Sequence, residues 1–459
     1  MLDSPLIREA MAIWRAGVAA VDSRSLIEQQ IVVRGDQLEI AGEVVPLESD
    51  SRLIAVGAGK AGAGMAAGLE AALAGTALES RLVGWVNVPA DCMRTLRHIR
   101  LHAARPAGVN EPRDEGVAGT EEILRLVGTA RSQDVVIVLL SGGGSALLPA
   151  PVPGLSLADK QQLTRFLSRS GATIHELNAV RTHLSRVKGG RLARATLAGR
   201  LITLVISDVI GDPLDVIASG PTWPARATRA DARTILARFD PDRRFVPTSV
   251  YEILERMGDE PFEETIAPSS RAVSHHIVGS NRVACEAAAA EATARGWQVV
   301  EVLDSRPGDA TAEGERLARR LLHLRREAIA TGRPLCVIDG GEPTVRLPRD
   351  IPPGRGGRNQ QLVLTALRST WSESLAGTVL LSAGTDGEDG PTNAAGGFAS
   401  AEVQQAARGS EAAASDALAR CDAYTYLDRV GALWITGPTD TNVMDLRVLL
   451  ARPESGIGP

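Results

Sequence analysis

The sequence has few cysteines, no long apolar run and no block of charge of one sign. Its four cysteines lie far apart without a C-x-x-C pair, which argues against a disulfide framework or a zinc site and favours a reducing cytoplasm. Arg8, Glu9 and Arg15 interrupt the first apolar residues, so no signal peptide is expected. No apolar run approaches the roughly 20 residues of a membrane span. The sequence therefore predicts a cytoplasmic protein without a membrane partner.

The charge balance makes nucleic acid an unexpected partner. Fifty Lys and Arg residues face 55 Asp and Glu residues, giving a formal net charge of −5, and no basic run is present to follow a phosphate backbone. The composition, 44% hydrophobic and 23% charged, is that of a globular protein. Because one core seldom grows beyond about 250–300 residues, 459 residues favour two domains.

Short apolar segments alternate with longer helical patterns along most of the chain. Residues 5–21 have the spacing of a helix, and a hairpin is expected around Gly35-Asp36. Strands buried on both faces and joined by helices then predict a parallel sheet. The segments in question are 53–56, 82–88, 135–140 and 201–206.

A proline-punctuated stretch with weak strand signal, residues 223–270, suggests a domain boundary near residue 240. The alternation then resumes, which predicts a second α/β domain. Its expected strands are 272–278, 299–303, 335–338, 379–381 and 432–435. The sequence thus divides into domains 1–240 and 241–459.

The first glycine turn is Gly57-Ala58-Gly59-Lys60-Ala61-Gly62, between a strand and a helix. It matches G-x-G-x-x-G, but the next strand ends in Asn87-Val88-Pro89 without the acid that a dinucleotide ribose requires. Three interpretations remain open: a dinucleotide fingerprint, a tight turn without a ligand, and a phosphate or carboxylate site. We favour the last, with Lys60 as counter-charge.

A second glycine turn, Ser141-Gly142-Gly143-Gly144-Ser145, directly follows the most apolar strand of the first domain. The carboxyl end of such a strand is where open α/β sheets bind ligands. Three successive glycines permit close approach to an anion such as phosphate, although a flexible loop is the alternative. The hydrolase motif G-x-S-x-G is not met.

Cationic and amide side chains are concentrated in residues 178–191. On a continuous helix Arg181, Ser185 and Lys188 would share one face, and the glycines after Lys188 favour an anion site over a solvated basic face. His183 is expected to pack or to form hydrogen bonds rather than to catalyse.

Carboxylates follow the strand at 201–206. Asp208 and Asp212 have the position of a general base for a hydroxyl or of a magnesium ligand, and helix capping is the alternative. In the second half, the turn at 354–360 places Arg358 at a helix start, where a guanidinium can clamp phosphate or carboxylate. Asp386 lies on a further glycine turn. Together these groups suggest a phosphate bridged by a metal.

These turns, taken in order over residues 5–448, resemble the glycerate kinase family of the glycerate 2-kinase type, whose C-terminal part contains the MOFRL domain. The resemblance is carried by residues 56–61, 141–147, 178–190, 207–209, 217–222, 356–360, 384–387 and 437–439.

The resemblance implies a Rossmann-like α/β domain with a mainly parallel sheet, followed by a second, smaller α/β domain that contains the MOFRL region at about 330–448. It further implies transfer of phosphate from ATP to D-glycerate with Mg²⁺, giving 2-phosphoglycerate more readily than 3-phosphoglycerate. Glycerate and nucleotide would be the small-molecule partners. A homodimer is left open, because the sequence does not determine the oligomeric state.

Residue roles follow from position within the matching motifs. Lys60 and Arg358 would hold the transferring phosphate or the substrate carboxylate, and Asp208 would lie near the reacting hydroxyl. Asp208 and Asp386 are the candidates for the metal. The residues expected to bind substrate or nucleotide are Gly57, Gly59, Ser141, Gly142, Gly143, Gly144, Ser145, Asn178, Arg181, Lys188 and Asp386.

Three residues depart from the family pattern. Asp440 replaces a glycine and Met444 an asparagine in the closing motif, and Asn393 stands where an aspartate is common. A carboxylate at 440 would repel an anion nearby. Two other functions stay in competition. An NAD(P)H-dependent hydroxypyruvate reductase is consistent with the G-x-G-x-x-G turn, and a non-catalytic sensor of phosphorylated sugar acids is favoured if the changes at Asp440 and Asn393 disable catalysis.

Overall fold

The computed structural model describes residues 4–109, 111–256, 272–348 and 351–453. Two compact units are present, one comprising Ser23–Val278 and the other Met1–Asp22 together with Gly279–Pro459. The expected first helix forms as α1 (Pro5–Ala19) and belongs to the second of these units.

In the Ser23–Val278 unit a small antiparallel sheet precedes a larger one. The expected hairpin is present, since Arg34 pairs with Gln37 on either side of the turn. The elements are α2 (Ser23–Gln30), β1 (Ile31–Arg34), β2 (Gln37–Ile40), β3 (Glu43–Val45), β4 (Leu53–Ala58), α3 (Gly62–Leu73), β5 (Leu82–Pro89), β6 (Ile99–Arg105), α4 (Asp114–Gly128), β7 (Val135–Leu140), α5 (Gly144–Leu147), α6 (Leu157–Arg169), α7 (Ile174–His183), α8 (Arg191–Arg194), β8 (Arg200–Ile206), α9 (Arg229–Phe239), α10 (Thr248–Arg256) and β9 (Ala272–Gly279), with 3-10 turns at Glu79–Arg81, Ala90–Cys92 and Ile217–Ser219.

The larger sheet has the strand order β6-β5-β4-β7-β8-β9. Every neighbouring pair from β6 to β8 is parallel, as the sequence predicted. The chain builds outward from β4 to β6 and then returns to place β7 on the other side of β4. This reversal is the topological switch point at which open α/β sheets bind ligands.

The strands at the switch point are buried on both faces. All residues of β4 and β7 are buried, and their β-branched side chains pack with Ile123, Val127 and Leu201 in one core. Such strands gain their stability from apolar burial on both sides. The loops at their carboxyl ends are thereby held on a rigid base.

The second unit contains a mixed sheet of order β10-β11-β15-β12-β13-β14. Only its first pair is parallel, and the other pairs are antiparallel. Its elements after α1 are α11 (Asn281–Ala294), β10 (Gln298–Asp309), α12 (Ala310–Thr331), β11 (Leu335–Thr344), α13 (Arg358–Ser369), β12 (Thr378–Gly384), β13 (Gly396–Ser400), α14 (Ala401–Ala406), α15 (Glu411–Ala419), α16 (Ala423–Arg429), β14 (Leu433–Trp434) and β15 (Asp445–Ala451).

Each face of this sheet has its own core. Trp14 of α1 packs with Phe398 and Trp434 on one face, and Leu317 of α12 packs with Leu362 of α13 on the other. Neighbouring residues of β12 alternate between the two cores, as the period of a strand requires. Among the described residues no helix has the length and apolar character needed to cross a membrane.

The units divide the chain differently from the predicted domains. The boundary near residue 240 lies inside the first unit, because α9 and α10 pack through Leu236 and Val250 against Leu163 of α6 and Leu177 of α7. Residues 272–278 form a strand as expected, but as the edge of the first sheet. The later part of the proline-punctuated stretch falls within residues 257–271, which lie outside the described residues.

Candidate active site

The two predicted glycine turns lie side by side at the carboxyl ends of β4 and β7. A Cβ on Gly57 would lie 2.0 Å from the carbonyl oxygen of Leu139, and one on Gly59 would lie 1.9 Å from Ser141 Oγ. Gly59 also has φ 151°, which side chains rarely adopt. Both glycines are therefore required by the close approach of β4 to β7 and of the turns that follow these strands.

The first backbone amides after β4 are used within the protein. The amide of Lys60 donates to the carbonyl of Gly142 at 2.8 Å, and that of Ala61 donates to Ser141 Oγ at 3.1 Å. In a dinucleotide site the amides at the start of the helix would face the pyrophosphate. The bonds within the turn favour the interpretation in which the turn positions Lys60.

Two cationic side chains flank the triple-glycine loop. Gly143 has φ 75°, and a Cβ at this position would lie 3.6 Å from Lys60 Cγ and 3.5 Å from Arg105 Nη2. Lys60 is half-buried and Arg105 is buried. Arg105, at the end of β6, lies beside the triple-glycine loop although the sequence motifs did not indicate it.

Ser145 is the point on which two further cations converge. Its hydroxyl accepts hydrogen bonds from Lys188 Nζ at 2.7 Å and from Arg181 Nη2 at 2.8 Å. Among the described residues, neither cation forms an ion pair with a carboxylate. Burial, followed by the positive charges of Arg181 and Lys160, holds the pKa of Lys188 well below its ordinary value. An anionic ligand would compensate these charges.

A turn with unusual backbone geometry completes this group. Ala218, Ser219 and Gly220 have φ values of 50°, 62° and 59°, and the first two carry side chains in a region that strains them. Ser219 Oγ accepts from Lys188 Nζ at 3.2 Å and donates to Asn178 Oδ1 at 3.2 Å. Ser219 is thus an additional polar residue of the candidate site.

Arg181 and Lys188 lie close together, but not on one helical face as predicted. α7 ends at His183, so Ser185 and Lys188 lie in the following loop and do not share a helical face with Arg181. His183 behaves as expected: it is buried, its Nε2 lies 3.0 Å from the carbonyl of Ala227, and burial lowers its pKa to about 4.

Asp208 lies just beyond the end of β8 and is half-buried. Its position at the carboxyl edge of the same sheet is the one expected for a residue that contacts a ligand.

In the second unit Arg358, the first residue of α13, forms ion pairs with two carboxylates. Its Nε and Nη2 donate to Asp445 at 2.9 Å each, and its Nη1 donates to Glu342 at 2.8 Å. Burial alone would lower the pKa of Arg358, but Asp445 and then Glu342 outweigh it and raise that pKa. Asp445, fully buried at the start of β15, was not indicated by the sequence motifs.

The acidic turn beside α13 has a structural role in part. Asp389 accepts from the amides of Asn359 and Gln360 at 3.0 and 2.8 Å and so caps the helix, while burial raises its pKa to about 7. Asp386 Oδ1 accepts from the amide of Glu388 at 3.0 Å. The described residues contain no group of three or more His, Cys, Asp or Glu arranged to hold a metal ion.

The backbone accounts for one departure from the family pattern. Asp440 has φ 58°, which glycine adopts without strain and which aspartate tolerates better than most residues. Met444, at φ 69°, is buried, and nothing in the structure explains its choice of side chain. Asn393 accepts a hydrogen bond from the Tyr424 hydroxyl at 2.7 Å.

Comparison with known protein families shows which family the chain belongs to. A family model described as "Domain of unknown function (DUF4147)" matches residues 9–255, and the MOFRL family matches residues 335–445. A glycerate kinase from Danio rerio is 34% identical over 98% of this chain and 98% of its own length. The chain belongs to the glycerate kinase family with a MOFRL domain.

Other members of the glycerate kinase family agree with the fold. A glycerate 2-kinase from Pyrococcus horikoshii is 33% identical over 98% of this chain and 97% of its own length. The crystal structure of a glycerate kinase from Thermotoga maritima covers 97% of this chain and 99% of its own, with a TM-score of 0.80 and 32% identity. The predicted family and α/β fold class are confirmed.

The ion pair of Arg358 predicts a large effect on stability. Replacing Arg358 by Met leaves Asp445 buried without its bidentate partner, so we expect a loss of about 3–5 kcal/mol in the free energy of unfolding. Arg368→Met on the exposed face of the same helix should change it by less than about 0.5 kcal/mol. Urea unfolding measures both. A loss at Arg358 no larger than that at Arg368 would contradict a structural role for the pair.

Proposed function

We propose that this chain transfers the terminal phosphoryl group of ATP to D-glycerate and produces 2-phosphoglycerate. The observation that carries the proposal is the convergence of Arg181 and Lys188 on Ser145 without a carboxylate partner, at the switch point of a parallel sheet. Both substrates are anions, and relatives over the full length are named glycerate kinase or glycerate 2-kinase.

The proposed mechanism relies on charge and alignment. Phosphoryl transfer spreads negative charge over the oxygens of the moving group, and fixed cations stabilise that charge without reorganisation. Lys60 has the position to supply such a charge from the turn after β4. As the hydroxyl oxygen of glycerate bonds to phosphorus, the bond to ADP breaks and the hydroxyl proton leaves. Asp208 is our candidate to accept that proton.

Arg358 has only part of its hydrogen-bonding capacity available for a ligand. Three of its donor nitrogens already bond to Asp445 or Glu342, which leaves one N–H on each Nη for a ligand. Those carboxylates fix the plane of the guanidinium. We therefore assign Arg358 to oriented binding of a substrate oxygen.

Magnesium would accompany the nucleotide. Mg²⁺ keeps several waters and needs only one or two carboxylates besides the phosphates, so a cage of protein ligands is not required. Asp208 and Asp386 remain the candidates. The ion would neutralise part of the negative charge on the phosphate oxygens.

The reductase alternative is less well supported. The amides of Lys60 and Ala61 bond within the two glycine turns, so they are not directed at a pyrophosphate. A non-catalytic sensor would use the same cations but would release no ADP.

The chain's four free thiols suit a reducing cytoplasm, where we place the reaction.

The first test is kinase activity and its dependence on Lys60. We expect D-glycerate to cause release of ADP from magnesium-ATP, and Lys60→Ala to reduce kcat/KM by about a hundredfold or more because one cation on the moving phosphate is lost. A coupled ADP assay measures this, with the thermal midpoint as a check on folding. Oxidation of NADH by hydroxypyruvate without ADP release would refute the kinase.

The role of Asp208 makes a separate kinetic prediction. Asp208→Asn should lower kcat by about a hundredfold or more with little change in KM, because a base acts in the transition state. Asp215→Asn, in the loop that follows, is the control and should retain activity. Steady-state kinetics of both variants give the answer. Equal changes in kcat and KM, or none, would assign Asp208 to binding or structure.

A further inference from the structure

Lysine is rare in this chain, and its positions are informative. Among fifty Lys and Arg residues only three are lysines: Lys60, Lys160 and Lys188. Two of them belong to the candidate site already described. Arginine serves as the cation almost everywhere else, so a position that retains lysine calls for a physical explanation.

Lys160 lies on the inner face of α6. It precedes Leu163 and Leu167 by three and seven residues, and both leucines are buried against Leu177 and Val180 of α7. Lys160 lies on the same buried face as these leucines. The residue is 7% exposed, and its Nζ is buried without a hydrogen bond to any described residue. A buried ammonium group without a partner is costly.

The surroundings of Lys160 increase that cost. Burial first, and then the positive charges of Arg181 and Arg191, lower the pKa of Lys160 to about 7, and Lys160 in turn acts on Lys188. The neighbouring carboxylate, Asp159, is occupied in the capping box of α6, where it bonds to Ser156. No described acidic residue forms an ion pair with Lys160.

We propose that Lys160, Arg181 and Lys188 form a buried subsite for an oxyanion, and that Lys160 is a ligand-binding residue. The identity of the oxyanion, the carboxylate of glycerate or a phosphoryl group, rests on the proposed function, whereas the subsite itself does not. An ammonium group suits this position because it donates up to three hydrogen bonds and can lose its proton while the subsite is empty.

The scarcity of lysine makes a direct test practical. Protein labelled with ¹³Cε-lysine should give three lysine signals, assigned by Lys60→Arg, Lys188→Arg and Lys160→Met. D-glycerate, inorganic phosphate and ADP are then added in separate titrations without turnover. We expect the Lys160 signal to move at saturation with at least one of them. A shift with glycerate alone identifies the carboxylate, and a shift with phosphate or ADP identifies the phosphoryl group.

A second measurement separates ligand binding from a structural role. Replacing Lys160 by Met, which fills similar space without charge, should raise the thermal midpoint of the ligand-free protein and weaken binding of the active ligand about tenfold or more. Arg165→Met, an exposed cation on the same helix, is the control and should change neither.

Opposite changes in stability and affinity are the signature of a binding residue. A Lys160 signal that stays in place with all three ligands would overturn the subsite, as would a variant with a lower midpoint and unchanged affinity. Because no measurement depends on turnover, loss of the subsite and loss of the kinase activity are distinguishable.

Discussion

Burial of positive charge without negative charge is the constraint on which the candidate site depends. Arg181 and Lys188 donate to the neutral hydroxyl of Ser145, and described carboxylates do not pair with them. Leaving such cations in a low dielectric costs free energy that the apolar core of the parallel sheet must offset. We expect this arrangement to be retained because a bound anion neutralises the two cations. The strained turn at Ser219, directed at the same lysine, is consistent with a site that sacrifices stability for binding.

The close approach of β4 and β7 is the second constraint. Gly57 and Gly59 have no room for a side chain because Leu139 and Ser141 occupy that space, and the two turns hold one another through backbone hydrogen bonds. The G-x-G-x-x-G motif therefore reflects packing between turns. What the pair of turns offers a ligand is the cationic side chain of Lys60 beside Gly143. We propose that the turn contributes to an anion site rather than to a dinucleotide site.

Local pattern was sufficient to predict the central strands and the turns that follow them, since β-branched runs buried on both faces have a distinctive sequence. Residues joined only by tertiary structure were not predicted. Asp445 is far from Arg358 in sequence, and their pairing depends on β15 lying between β11 and β12. In the sequence Lys160 cannot be distinguished from an exposed helical lysine, because its burial depends on the packing of α7 against α6. β9 was assigned to the wrong sheet because sequence shows strand character but not its neighbours.

Identifying the reaction product shows whether these cations serve phosphoryl transfer to glycerate. Purified protein should be incubated with magnesium-ATP and D-glycerate, and the product identified by ³¹P and ¹H NMR. We expect a phosphate ester on the 2-hydroxyl together with one equivalent of ADP. Unchanged glycerate, or ADP formed with only inorganic phosphate, would contradict it.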